Sequence, residues 1–365
     1  MRIAKYIVLF FLTVLLGESY AQTAKANTVN IGAIYALTGE ASYWGTFGLN
    51  GLRLAIEEGN AQGGVNGEPI ELLVQDSQTQ PANAVSAYQW LTKVQGARVI
   101  CGDIWNFLIA SFMPLAGRDG VLHLASLTAP VTQSPETFFS VGTKSSSITN
   151  ALNVFFENNK DIKRAAIFAW DDDWGKGYLE QWKTASKKYN VEIIYQNLNP
   201  NNFSYDYRAD VAKAINKKPD LVFISHHAQI IIKLFAEQKY FPKFLSTNNI
   251  TEIWYRKLLD SKLLDGVYYT DWPPEGNFVT AYQKRFGDYP LFSAGDNYDM
   301  GKLIVAALKN NKTNPASFIQ NYKGPSVTGS LDFTTSHWGN YSEASLMKVI
   351  NGKLTNVSLD LNSNK

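Results

Sequence analysis

One cysteine in 365 residues, Cys101, leaves no second thiol for an internal disulfide. It lies in the apolar run 98–101, so a buried and inert thiol is expected. A charge excess is missing too. With 34 Lys and Arg against 32 Asp and Glu, the formal charge is +2. Nucleic-acid binding calls for a basic stripe, and this balance argues against it. The chain contains no G-x-S-x-G elbow, no G-x-G-x-x-G after a strand, no G-x-x-x-x-G-K cradle and no metal-ligand cluster. No site for a metal or a cofactor is therefore expected, and catalysis finds no motif to stand on. Low-complexity segments are also missing.

Long apolar runs are lacking except at the start. Arg2 and Lys5 precede the run 6–16, and the small residues Ser19 and Ala21 follow it. The run falls short of the ~20 apolar residues that span a bilayer, and its flanks are those of a secretory signal peptide. Residues 1–21 are read as that peptide, cut after Ala21, with Ala26 as the second choice. Its loss removes Arg2, Lys5 and Glu18 and leaves a charge of +1. The remainder exceeds the roughly 250–300 residues at which one hydrophobic core stops growing, so two lobes are expected.

What the chain does contain is alternation of strand and helix. The stretch 31–76 reads as strand, hydroxyl-rich loop, amphipathic helix, glycine turn and second strand. Strands at 31–37 and 70–74 are short apolar runs suited to a buried parallel sheet. The same rhythm continues with helix 83–95, strand 98–101, helix 107–119 and strand 121–124. After the polar stretch 141–147 it resumes as helix 148–158, strand 164–169, helix 174–188, strand 191–196, helix 205–217, strand 221–225, helix 228–239 and strand 244–246. Strand 266–270 and helices 277–286 and 292–310 close the series. This is the pattern of α/β lobes, each doubly wound like a Rossmann fold.

Particular residues go further. The segment Leu37-Thr38-Gly39 with Tyr43-Trp44-Gly45, then Gly51, Ala55 and the turn Asn60-Ala61-Gln62-Gly63-Gly64-Val65-Asn66-Gly67, closing at Asp76, resembles the type I periplasmic solute-binding proteins of the branched-chain amino acid ABC transporter family. Pro81, Ala84, Gly102, the run Ala125-Ser126-Leu127-Thr128, Trp174-Gly175 and Asn297-Tyr298-Asp299 continue the match. It covers nearly everything from Val29 to about Gly352.

The resemblance implies two lobes joined by a hinge of three strands. Lobe 1 is expected over 27–142 and 271–341, lobe 2 over 143–270 and 342–355, with 356–365 as a flexible tail. It also implies a small-molecule ligand held by hinge closure, and ABC permease membrane subunits as partners. The expected form is a monomer, free in the periplasm because no cysteine near the cleavage site can carry a lipid anchor. A periplasmic sensor of the same fold is the alternative role.

In open α/β sheets, ligands bind at the carboxyl ends of the strands. The loops 38–46, 102–107, 125–129, 170–175, 225–229 and 247–251 are therefore the candidates. By resemblance, Ser126, Leu127 and Thr128 face a ligand carboxylate through backbone and hydroxyl groups, and Trp174 stands where the family presents a tyrosine. Two departures matter. Where amino-acid-binding members use serines, this chain has Asp103, Trp105 and Asn106. Where they present an acid to the ligand's amine, it has Asn248 or Asn249. A simple branched-chain amino acid is thereby disfavoured.

Aromatic residues crowd the same loops: Tyr43, Trp44, Trp105, Phe107, Trp170, Trp174, Trp254 and Trp272. Their flat walls favour an aromatic or bulky apolar acid. Beside Asp103 or the run Asp171-Asp172-Asp173, they would equally suit a cationic amine. His226 is expected to hydrogen-bond a ligand. With His227 it makes a poor chelating pair, because neighbours in a strand point to opposite sides.

Overall fold

The computed structural model describes residues 27–127, 134–200 and 204–358. The signal-peptide reading over 1–21 and the candidate Thr128 lie outside the described residues, as does most of the tail. Of that tail, Ser358 bonds the backbone of Leu346.

The chain opens with β1 (Val29–Tyr35), buried at every residue but Asn30. A strand so apolar on both sides needs cover on both faces, which is the condition of a central parallel strand. Helix α1 (Ser42–Ala61) supplies cover with Leu49, Leu52 and Ile56 and leads to β2 (Ile70–Asp76). Then come α2 (Pro81–Gln89), β3 (Val99–Cys101), α3 (Asn106–Arg118), β4 (Leu122–Ala125) and β5 (Phe138–Ser140). These five strands form one parallel sheet in the order β2-β1-β3-β4-β5.

The second lobe repeats the plan. It runs through α4 (Thr149–Asn158), β6 (Arg164–Trp170), α5 (Asp173–Lys188), β7 (Glu192–Asn199), α6 (Arg208–Asn216) and β8 (Leu221–Ile224). It continues with α7 (Ala228–Glu237), β9 (Lys243–Ser246), α8 (Asn249–Tyr255), α9 (Ser261–Leu264) and β10 (Tyr268–Asp271). Next come α10 (Asn277–Phe286), α11 (Phe292–Asn310) and α12 (Pro315–Gln320), where α11 packs along α1 of the first lobe. A hairpin of β11 (Lys323–Ser326) and β12 (Gly329–Asp332) follows, then β13 (Ser345–Ile350) and β14 (Lys353–Asn356). The second sheet has seven strands, ordered β14-β13-β10-β9-β8-β6-β7, with β13 and β14 antiparallel to their neighbours.

The differences from the sequence reading fall where periodicity is short. Helix 83–95 begins at Pro81, which suits a first helical position, and passes into a π-turn at Trp90–Val94. β5 has three residues, too few to show a period, and β11 to β14, which pair antiparallel outside the alternation of strand and helix, also went unanticipated. Part of the loop read at 247–251 is the start of α8.

Between the sheets the chain passes three times, and the passes are tied to one another. Asn340 Nδ2 donates to the Val141 carbonyl at 2.8 Å, and Trp272 Nε1 to the Ser342 carbonyl at 3.1 Å. Asp296, on α11, accepts from the Thr143 N–H at 3.2 Å and from Asn340 Nδ2 at 3.4 Å. Burial is the main cause that raises its carboxyl to about 8, and it raises Asp103, Asp271 and Asp299 to about 7.

A pH dependence follows. Unfolded aspartates ionise near pH 4, so above that the native state binds more protons than the unfolded chain, and stability falls as pH rises through 7–8. His123, His226 and His227 have depressed values and act in the opposite sense, but only below about 6.5, where an unfolded imidazole gains its proton. Between pH 6.5 and 8.5, each group near 7 is expected to contribute roughly 1 kcal/mol of lost stability. Urea unfolding at the two pH values measures it; equal stability would mean that these carboxyls are already ionised in the native state.

Candidate functional site

Both sheets aim the carboxyl ends of their central strands at one place. At the end of β1 the chain turns into α1 through Trp44-Gly45, and at the end of β6 it turns into α5 through Trp174-Gly175. A Cβ on Gly45 would sit 2.0 Å from the Ala36 carbonyl oxygen, and one on Gly175 would sit 2.2 Å from that of Trp170. Only glycine lets each helix start press so closely on its strand end. In both lobes the preceding tryptophan then faces the gap between them.

That gap is a cavity of about 250 Å³. From the first lobe and α11 its walls are Trp44, Ile104, Trp105, Asn106, Phe107, Ala110, Ser126 and Phe292; from the second they are Trp170, Asp172, Asp173, Trp174, His226, Asn248 and Asn249. Four tryptophans and two phenylalanines dominate, and neither Lys nor Arg is among the lining residues.

Several polar groups at the walls have fixed partners. Ser126 Oγ donates to Asp296 Oδ2 at 2.9 Å, linking the cavity to the hinge network. Asp172 caps α5 by accepting from the Gly175 N–H at 2.7 Å. His226 lies flat on Trp170, with ring centroids 3.7 Å apart and planes within 5°. Burial, with His227 alongside, drives its pKa well down, so the imidazole is neutral. Its Nδ1 accepts from the His227 N–H at 2.9 Å, which leaves the ring proton on Nε2.

Of the sequence candidates, Trp44, Trp105, Asn106, Ser126, Trp174, His226 and Asn249 line the cavity, and Tyr43, Asp103 and Leu127 do not. Tyr43 is half-buried and packs instead against Phe47 and Tyr255. The Asp103 carboxylate folds back into its own lobe, bonded by the Ile104 N–H at 2.6 Å and Ser77 Oγ at 3.4 Å. Leu127 is packed with Ile109, Met113 and Phe138. Trp254 donates outward to the Gly352 carbonyl, and Trp272 is buried between two of the interlobe passes.

Phe292 and Glu252 escaped the sequence reading. Phe292 is the first residue of α11, where helical spacing marks it only as core. Glu252 lies one helical turn beyond Asn249, three residues after the positions where the resemblance leads one to look for an acid. It is 9 % exposed and accepts from Trp44 Nε1 at 3.0 Å, from Asn249 Nδ2 at 3.4 Å and from Arg256 at 2.7 Å. The two histidines do not follow strand alternation, because His227 takes a left-handed backbone, φ 57°, at the head of α7. Among the described residues no cluster of three or more His, Cys, Asp or Glu could hold a metal ion, and no helix is long and apolar enough to cross a membrane.

Comparison with known proteins agrees with this architecture. A Leu/Ile/Val-binding protein of Rhizobium johnstonii is 26% identical over 216 residues, a match that spans 58% of each chain. The branched-chain amino acid transporter substrate-binding protein LivJ of Streptococcus pneumoniae, solved with isoleucine, superposes with a TM-score of 0.79 at 19% identity, over 90% of this chain and 98% of that one. An ABC transporter solute-binding protein of Rhodopseudomonas palustris, solved with 3,4-dihydroxybenzoic acid, gives 0.77 at 22% identity, over 90% and 96%. At these identities the two structures establish the fold, that of type I periplasmic binding proteins. The family profile described as periplasmic binding protein matches residues 28–340, and the chain belongs to that family.

Proposed function

We propose that the chain is the solute-binding component of an ABC importer, and that it captures a small aromatic or bulky apolar acid by closing its lobes over the cavity. The observation that carries this reading is the set of aromatic walls on both sides of one space: Trp44, Trp105 and Phe107 opposite Trp170 and Trp174. A flat ring between them buries both faces, and apolar burial is worth about 25 cal/mol per Å². A cavity of roughly 150 Å³ takes up benzene, so about 250 Å³ suits one ring with a short substituent.

The acid half of the reading rests on the head of α3. Asn106 and Phe107 line the cavity in its first turn, where backbone N–H groups and the helix dipole favour an anion. The Streptococcus and Rhodopseudomonas relatives were solved with acids, isoleucine and 3,4-dihydroxybenzoic acid. The ligand is bound and released unchanged. The partner is a membrane permease, which receives the closed form of a monomeric, secreted receptor.

Asp172 and Asp173, with no Lys or Arg on the walls, favour a second reading, a cationic aromatic amine. A thermal-shift screen of the mature protein against benzoate, 3,4-dihydroxybenzoate, isoleucine, phenylalanine and quaternary amines separates the two. A ligand at a hundredfold excess over its Kd stabilises by about 2.7 kcal/mol. A shift with aromatic acids is expected. A shift with amines alone transfers the site to the second reading, and a shift with isoleucine alone overturns the aromatic preference.

A further inference from the structure

We propose that Glu252 is a positioning residue that fastens the lobes together over the cavity by holding the wall residue Trp44. Trp44 comes from α1 of the first lobe and Glu252 from α8 of the second, 208 positions apart in sequence. Both residues bonded to Glu252 Oε2, Trp44 and Asn249, line the cavity, one from each lobe, while Glu252 itself stands behind them. The same seam carries three more contacts. Tyr255, the last residue of α8, packs on Tyr43 and Phe47 with centroids 5.7 and 5.8 Å away, and its hydroxyl bonds Asp288, in the loop between α10 and α11.

The chemistry asks for a carboxylate. Three donors converge on it, from indole, amide and guanidinium, and an ionised carboxylate accepts at both oxygens without presenting a proton of its own. Arg256, four residues along α8, offsets the burial of the negative charge. Opening the lobes must break the indole bond and hand that oxygen to water, and a charge-assisted bond in a water-poor seam is stronger than the water contact replacing it, so closure is favoured before any ligand arrives. A ligand lying against Trp44 would then be released only as fast as this bond opens. The last statement rests on the cavity being the ligand site; the fastening of the lobes does not.

Two variants test it. Trp44→Phe keeps a flat apolar wall, smaller by one ring of the indole, and deletes the N–H donor, and Glu252→Gln keeps the shape but removes the charge and puts an amide donor among donors. Small-angle scattering of the mature protein without ligand reads the lobe separation directly. We expect both variants to show a larger radius of gyration than the wild type, and the double variant to match the larger of the two rather than their sum, because one bond is being removed twice. Unchanged radii in both variants overturn the proposal, even if an aromatic acid stabilises the wild type. Opened variants of a protein that no screened compound stabilises uphold it and count against the ligand reading alone. Circular dichroism of each variant, expected to match the wild type, separates opening from unfolding.

Discussion

Gly45→Ala is expected to destabilise the protein by about 2–3 kcal/mol, the cost of forcing a methyl group into a packed contact. The sign makes the experiment decisive. Inside a helix, replacing glycine by alanine ordinarily gains up to about 1 kcal/mol from propensity. Here the new Cβ would meet the Ala36 carbonyl oxygen at 2.0 Å and its carbon at 2.9 Å, and both are backbone atoms at the end of β1 that cannot swing aside. Relief requires α1 to lift from the strand. Trp44, one residue earlier, would lift with it and leave its bond to Glu252. Urea unfolding gives the free energy. A gain in stability would mean that α1 does not start so close to the strand, and the placement of the Trp44 wall would fall with it.

How far the sequence could be read depended on the length of each signal. The long helices were legible: 277–286 and 292–310 have the bounds read in the sequence, because ten or more residues give a period of 3.6 room to repeat. Three-residue β5 had no such room, and the antiparallel edge formed by β13 and β14 falls outside the alternation of strand and helix that marked the other strands. At the cavity, residues next to a glycine turn were legible, since Trp44-Gly45 and Trp174-Gly175 mark where a helix leaves its strand. Asp103, beside Gly102, carried the same local signal and turns inward, as does Leu127, which only the resemblance had pointed to. Direction at a loop is decided by what the rest of the lobe offers, and for Asp103 that was Ser77 and the Ile104 N–H. Glu252 was hidden for the opposite reason, because its partner Trp44 is remote in sequence and no local pattern connects them.

Trp174→Ala is expected to weaken binding of the preferred aromatic acid at least thirtyfold, about 2 kcal/mol, the loss typical of a buried aromatic anchor. Within the proposed site, Trp174 is the second-lobe tryptophan with less to do elsewhere. It is only partly buried, its ring meets Tyr178 at 5.0 Å and His226 at 6.1 Å, and it begins a helix whose own core contacts are made by Tyr178, Leu179 and Trp182. Its removal should therefore cost the unliganded fold little. Trp170, by contrast, is 1 % exposed at the end of β6 and holds His226 flat against it, so Trp170→Ala should lower stability and binding together. Titration calorimetry on both variants, with melting curves of the ligand-free proteins, separates a wall from a support. If Trp174→Ala binds as tightly as the wild type, the ligand does not lie against this wall. If it melts far below the wild type, the side chain belongs to the fold more than to the site. The gap between those two losses, large in binding and small in stability, is what a surface built for a visiting ring predicts and an ordinary core position does not.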